Sequence, residues 1–132
     1  MASAYAYLGP PGTYCEEALL TLTRGEEIDG RPCGAEREAI LALDAGDVDR
    51  AVVPIENALE GAVTGTLDTL ALDARDVRII AEVVLPIEHC LIAGPGTELA
   101  DVEVVVSHPQ ALAQCRRFVA GELGALERAA TS

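Results

Sequence analysis

Two kinds of hydrophobic spacing alternate along this chain. Short apolar runs bounded by Gly, Pro or Asp give way to stretches whose apolar positions recur at helical intervals. Ala4 to Leu8 is the first run and predicts a short buried strand, closed by the turn signal Gly9-Pro10-Pro11-Gly12. Thr13-Tyr14-Cys15-Glu16 then fits a capping box, with the Thr13 hydroxyl on the Glu16 amide and the Glu16 side chain returning to Thr13. The helix it opens is predicted to reach about Thr23, with Ala18, Leu19 and Leu22 inward. Residues 24–34 are polar and punctuated, with room for a short edge strand over Ile28 to Cys33. Ala35 to Ala45 has helical spacing (Ala39, Ile40, Leu43) and stops at Gly46. Asp49 to Val53 is the second clear strand, and the order strand, helix, helix, strand predicts parallel βαβ units with right-handed crossovers.

Pro54 ends that strand abruptly, because it cannot donate to a ladder. Gly61 to Leu72 carries Val63, Leu67, Leu70 and Ala71 at helical spacing, with Thr64 and Thr66 around Gly65 near its start. Asp76 to Leu85 is rich in β-formers, is broken at Pro86 and resumes from Ile87 to Ala93. A strand of that length, broken once, predicts a handover from one sheet to another near residues 82–86. The chain therefore reads as a first α/β lobe over residues 1–83 and a partial second lobe over 84–132. Gly94-Pro95-Gly96 is a turn, Val102 to Val106 a further buried strand, and Ser107-His108-Pro109-Gln110 a helix start with Pro in the first turn. Ser107 is then the N-cap or the residue before it. The inward stripe of that helix is Leu112, Cys115, Phe118 and Val119.

Composition narrows the picture. Half the residues are hydrophobic, enough for a sizeable core, yet there is one Phe, three Tyr and no Trp. An interior of Ala, Val, Leu and Ile is expected. The net charge of −13, with 22 acidic residues against 9 basic, argues against nucleic acid or an anionic membrane as partner. A small anion is still compatible with it, held locally by an Arg or a helix N-terminus. The four cysteines, Cys15, Cys33, Cys90 and Cys115, form no C-x-x-C pair, so no metal is expected and the thiols are read as reduced. Met1-Ala2-Ser3-Ala4 lacks the charged start of a signal peptide, and no apolar run approaches the roughly 18 residues of a membrane span. A soluble cytoplasmic protein is the expectation.

Candidate chemistry sits at strand ends. Glu56 and Asn57 follow the carboxyl end of the second clear strand, where open α/β sheets bind ligands. Asn57 either contacts a ligand or only shapes the turn. Gly12 and Thr13 lie between a strand and a helix N-terminus, a plausible anion site or simply a corner. His108, alone beside a Pro at a helix start, is read as structural. Gln114 lies one turn after Gln110 on the same side of its helix. No P-loop, G-x-G-x-x-G or Ser-His-Asp arrangement is present.

Three stretches together resemble one family. Tyr7-Leu8-Gly9-Pro10-Pro11-Gly12-Thr13-Tyr14, then Val53-Pro54-Ile55-Glu56-Asn57 with Gly61, then Ser107-His108-Pro109-Gln110 with Gln114-Cys115 are similar, in order and spacing, to motifs of the prephenate dehydratase catalytic domain. The resemblance implies two α/β lobes like a type II periplasmic binding protein, with substrate in the cleft. It implies decarboxylating dehydration of prephenate to phenylpyruvate without metal or organic cofactor. Glu56, Asn57, Ser107, Gln114, Gly12 and Thr13 are the substrate-side residues it points to, Thr13 by capping its helix. The family's Thr-Arg-Phe motif, whose Thr is taken as proton donor, does not occur in this sequence; Thr23-Arg24 is followed by Gly25. No catalytic residue is therefore assigned. The resemblance further implies an incomplete second lobe, so a fragment or truncated relative is expected, inactive by itself and assembled as a homodimer or larger. Should the chain be active, Thr64, Thr66 and His108 are its candidate donors. The competing class is a module of the same fold that binds or senses a small anion without chemistry.

Overall fold

In the computed structural model, which describes residues 1–130, β1 (Ser3–Leu8) is the middle strand of a three-stranded parallel sheet of order β2-β1-β3, with β2 at Ile28–Cys33 and β3 at Arg50–Val52. Its alternation dictates what covers each face. Tyr5 and Tyr7 join Leu19 of α1 (Tyr14–Thr23) in one cluster, with Cys15, Ile28 and Val52 against it. Ala6 joins Ala39 of α2 (Glu36–Asp44) and Val48 in another, with Ala4, Cys33 and Leu43 around it. The chain steps from β1 to β2 in one direction and from β2 to β3 in the other. Right-handed crossovers then require the two helices to lie on opposite faces.

That arrangement revises the expected interior. Tyr5 and Tyr7 are only 5% and 2% exposed, so two of the three tyrosines are core residues. On α1 the buried positions are Ala18, Leu19 and Thr23, while Leu22 stands out at 39% exposure. The stripe is set by the tyrosine face, and Thr23 occupies it without an unmet polar group because its hydroxyl donates to the Leu19 carbonyl at 3.0 Å. Gly9, which follows β1, is forced by close approach: a Cβ there would lie 2.8 Å from the Pro32 Cβ.

After β3 comes a small antiparallel hairpin, β4 (Glu56–Asn57) with β5 (Gly61–Ala62), which the periodicity did not predict. Gly61, at φ +82°, turns the chain back in a conformation that favours glycine. The predicted helix from Gly61 thus begins later, as α3 (Thr64–Asp68), and runs on through a π turn over Thr69–Asp73. From its end, Arg75 and Asp76 donate their amides to one carboxylate oxygen of Asp44, both at 3.0 Å, which fastens this segment to the end of α2.

The chain divides into two compact units, Met1–Pro86 and Ile87 onward. In the second, β6 (Val104–Ser107) and β7 (Leu126–Ala129) pair in parallel, connected by α4 (Pro109–Phe118) and a π turn over Val119–Leu123. Leu112 and Val119 are buried and Cys115 half-buried, but Phe118 is 44% exposed and leaves the predicted stripe.

The strands expected over Asp76–Leu85 and Ile87–Ala93 do not form among the described residues. A β-rich sequence needs a neighbour's N–H and C=O groups to become a strand, and here it has none. Ile79, Ile80, Val84 and Ile92 are left exposed.

Asp44 supplies a pH test. The Asp76 and Arg75 amides hold its carboxyl below the usual Asp range. A group with a lowered folded pKa stabilises above the unfolded value and loses that contribution as pH falls through the folded one. The urea midpoint of the native chain should therefore exceed that of Asp44→Asn at neutral pH. The gap should close as pH drops below about 4, the ordinary Asp range. A gap independent of pH would show that the ionised carboxylate is not what fastens the segment.

Candidate functional site

The carboxyl ends of β1 and β3 are neighbours in the sheet, so the segments leaving them, Gly9–Thr13 and Val53–Asn57, emerge at the same edge. This is the edge of an open α/β sheet at which ligands bind, beside the point where strand order reverses.

The first segment closes on itself. Thr13 is the N-cap of α1 by its backbone, but its hydroxyl donates to the Leu8 carbonyl at 3.1 Å and makes no cap bond. The Glu16 carboxylate does not return to Thr13 either. It accepts the Gly12 amide at 2.6 Å through Oε2 and the Tyr7 hydroxyl at 3.1 Å through Oε1. The expected capping box is thus shifted by one residue, because Thr13 is tied down to the strand. Burial pushes the Tyr7 phenol up, and the Glu16 carboxylate pushes it further. The start of α2 repeats the device, with Gly34 N–H donating to Glu38 Oε2 at 2.7 Å. Each helix start already has its own carboxylate, so an incoming anion at Gly12 meets a site with a negative charge in it.

In the second segment, Asn57 is half-buried and Glu56 exposed. Asn57 Oδ1 accepts the Leu59 amide at 2.9 Å, an Asx turn that shapes the hairpin. That bond engages the oxygen of the carboxamide and leaves Nδ2, a donor, as its other end. The backbone behind it is pinned twice, by Thr66 Oγ1 donating to the Pro54 carbonyl at 2.6 Å and by Val63 N–H donating to Ile55 at 2.9 Å. Thr66 is 1% exposed and so serves as a strut.

In the second unit, Ser107 ends β6 half-buried and directly precedes the N-cap of α4, which is His108. His108 Nδ1 accepts the Gln110 amide at 3.3 Å, the structural use read from its position beside Pro109. Gln114 is half-buried on α4, and its Oε1 lies 2.7 Å from His89 Nε2. His89 was invisible in the sequence: it sits 25 positions away in a stretch without regular structure. Gly12 and Thr13, and Glu56 and Asn57, thus belong to one edge of the first unit, while Ser107 and Gln114 belong to the second. Among the thiols, burial raises Cys15 and Cys33, with Glu36 and Glu38 adding to it, so neither is an activated nucleophile. All four cysteines are free.

Parallel βαβ units, with half-buried Asn57 in the segment that leaves β3 and half-buried Ser107 at the end of β6, define an α/β protein. The chain belongs to the prephenate dehydratase family, whose pattern it matches over residues 5–132. A prephenate dehydratase of Mycobacteroides abscessus is 45% identical over 123 residues, 89% of this chain and 40% of that protein. The crystal structure of a prephenate dehydratase from Arthrobacter aurescens in complex with L-Phe superposes with a TM-score of 0.86 at 40% identity, over 98% of this chain and 42% of that one. GqqA, described as a novel type of quorum quenching acylase, superposes at 0.76 with 31% identity, over 96% and 45%. The chain therefore spans about two fifths of the length of such relatives.

The strut at Thr66 generates a stability test. Thr66→Val keeps the shape but leaves the Pro54 carbonyl unpaired, at a cost of about 1–3 kcal/mol. A lowered urea midpoint with an unchanged slope is the expected outcome. An unchanged midpoint would mean the bond does not hold the Glu56–Asn57 segment.

Proposed function

We propose that this chain is the substrate-side portion of a prephenate dehydratase. It would contribute Glu56, Asn57, Gly12 and Thr13 from the first lobe and Ser107 and Gln114 from the second to one cleft of a type II periplasmic-binding-protein-like fold. The observation that carries this reading is the polarity of the two carboxamides. Asn57 and Gln114 both have their oxygen engaged within their own unit, leaving NH2 donors, the groups a substrate with two carboxylates needs. In the reaction, the ring carboxylate leaves as carbon dioxide and its bonding pair completes the aromatic ring. The ring hydroxyl departs as water after taking up one proton.

The role of this chain in that chemistry is to hold the anion, and proton delivery is assigned to none of its residues. Thr66 is committed to Pro54, which argues against it as a donor and leaves Thr64 and His108, whose Nδ1 accepts the Gln110 amide and whose Nε2 then carries the ring proton. Location in the cytoplasm, assembly as a homo-oligomer and independence of nucleic acid and membrane complete the proposal. It is supported by the charge of −13 and by the apolar side chains exposed over residues 79–92. Among the described residues no helix is long and apolar enough to cross a membrane.

Two measurements test it. Asn57→Asp keeps the oxygen that holds the Leu59 amide but replaces the donor with a negative charge. Prephenate binding by calorimetry should weaken about tenfold or more, the size of one lost charge-assisted hydrogen bond, while the unfolding midpoint stays close to the parent. Asn57→Ala should weaken binding similarly and also loosen the turn. Binding indifferent to both would remove Asn57 from the site. The second measurement is turnover: residues 1–132 alone should bind prephenate and release no phenylpyruvate, because positioned proton transfer is worth roughly 10²–10⁴-fold and Thr-Arg-Phe is absent from the sequence. Turnover at an ordinary enzymatic rate would place a donor within this chain, with Thr64 and His108 the first to mutate.

A further inference from the structure

A glutamine on a helix surface carries a nearly symmetric terminal amide on a flexible stem, and nothing intrinsic decides which end faces a ligand. On α4 something does. Gln114 Oε1 lies 2.7 Å from His89 Nε2, and the Gln oxygen has no hydrogen to give, so the imidazole must be the donor. The bond therefore fixes two things at once. Nε2 of His89 carries a proton, and the Nε2 amide of Gln114 is turned away from the ring. Reversing the amide would set its NH2 against a ring N–H, donor against donor.

We propose that His89 is a positioning residue for anion binding: by anchoring Gln114 Oε1, it makes the NH2 group of Gln114 the end presented to a substrate carboxylate. The proposal rests on the reading of Gln114 as a substrate ligand. It assigns His89 a role that the sequence motifs do not contain, and it explains why a neutral carboxamide serves there. Without the imidazole, the amide would sample both orientations. One of them puts a carbonyl oxygen against an anion, and the stem would also regain the freedom that binding must then remove.

The experiment combines three variants with one spectroscopic measurement. His89→Phe keeps a flat ring without a donor, His89→Gln keeps a donor near the position of Nε2, and Gln114→Met removes the amide at similar volume. Prephenate affinity, measured by calorimetry on the chain, should fall about five- to tenfold in His89→Phe, as for one lost hydrogen bond. It should recover within about twofold in His89→Gln and fall at least as far in Gln114→Met as in His89→Phe. Independently of ligand, long-range ¹H–¹⁵N correlation on the native chain should show the proton of neutral His89 on Nε2. Observation of the Nδ1–H tautomer would overturn the inference outright, because Nε2 would then accept from the amide and turn its oxygen outward. That measurement stands even if His89→Phe does not fold. Loss of binding in Gln114→Met with none in His89→Phe would overturn the role of His89 alone. Binding unchanged in Gln114→Met, or absent from the native chain, would remove the substrate reading and this inference with it.

Discussion

A parallel strand with partners on both sides must be covered on both faces, and the rest of the first unit follows from how β1 meets that demand. Its two faces are unequal: tyrosines on one, alanines on the other. The tyrosine rings pack with Leu19 of α1, while the alanine face packs with Ala39 of α2 and with Val48, and Cys33, Leu43 and Val53 fill in around them. Tyr7 joins the structural and the polar layers. Its ring packs against Leu19 and its hydroxyl reaches Glu16, so the tyrosine that fills the core also helps fix the loop after β1. A change in the packing of that strand would therefore be felt at the carboxyl edge.

The same economy governs the helix ends. A helix N-terminus offers unpaired amides and a partial positive charge, and the obvious use of one at a strand edge is to hold an anion. Here α1 and α2 each turn a glutamate of their own back to their start, where it accepts the amide of the glycine that precedes the N-cap, and α4 uses the imidazole of His108 to accept the Gln110 amide. With these ends already engaged, the proposed recognition of an anion would fall to side-chain donors. On that proposal, specificity would come less from a diffuse field than from two amide groups of fixed polarity, one in each unit.

What the sequence made legible was whatever depends on local spacing. Ser3–Leu8, Tyr14–Thr23, Ile28–Cys33 and Glu36–Asp44 could be read because period and punctuation agreed there. Glu56 and Asn57 could be placed at a strand end because Pro54 stops the ladder. The losses have a common cause. The hairpin at Gly61 depends on a positive φ that helical spacing of the later apolar residues concealed. The shift of the capping box depends on Thr13 reaching Leu8, a choice made by the sheet. Residues 76–93 carry strand-like composition, but composition cannot supply the ladder partner a strand requires. His89 left no trace, since contact across 25 positions has no periodic signature.

Charge bears on why amides, and not a cluster of guanidiniums, would suit the proposed site. At −13 it repels a dianion at long range, but screening confines that repulsion to roughly 8 Å at physiological salt, so affinity is decided by the groups in contact. An arginine among so many carboxylates is readily captured by one of them, as Arg31 is by Asp29 at 2.7 Å and Arg37 by Asp73 at 3.0 Å. A neutral carboxamide attracts no such competitor. It also loses less on desolvation than a full charge does. Its weakness is that it can be reversed, and an amide facing the wrong way is an acceptor set against an anion. Anchoring the oxygen, by the Leu59 amide at Asn57 and by His89 at Gln114, removes that weakness. On the proposed reading, a strongly acidic chain would in this way keep a site for an anion with neutral groups, each held by its other end.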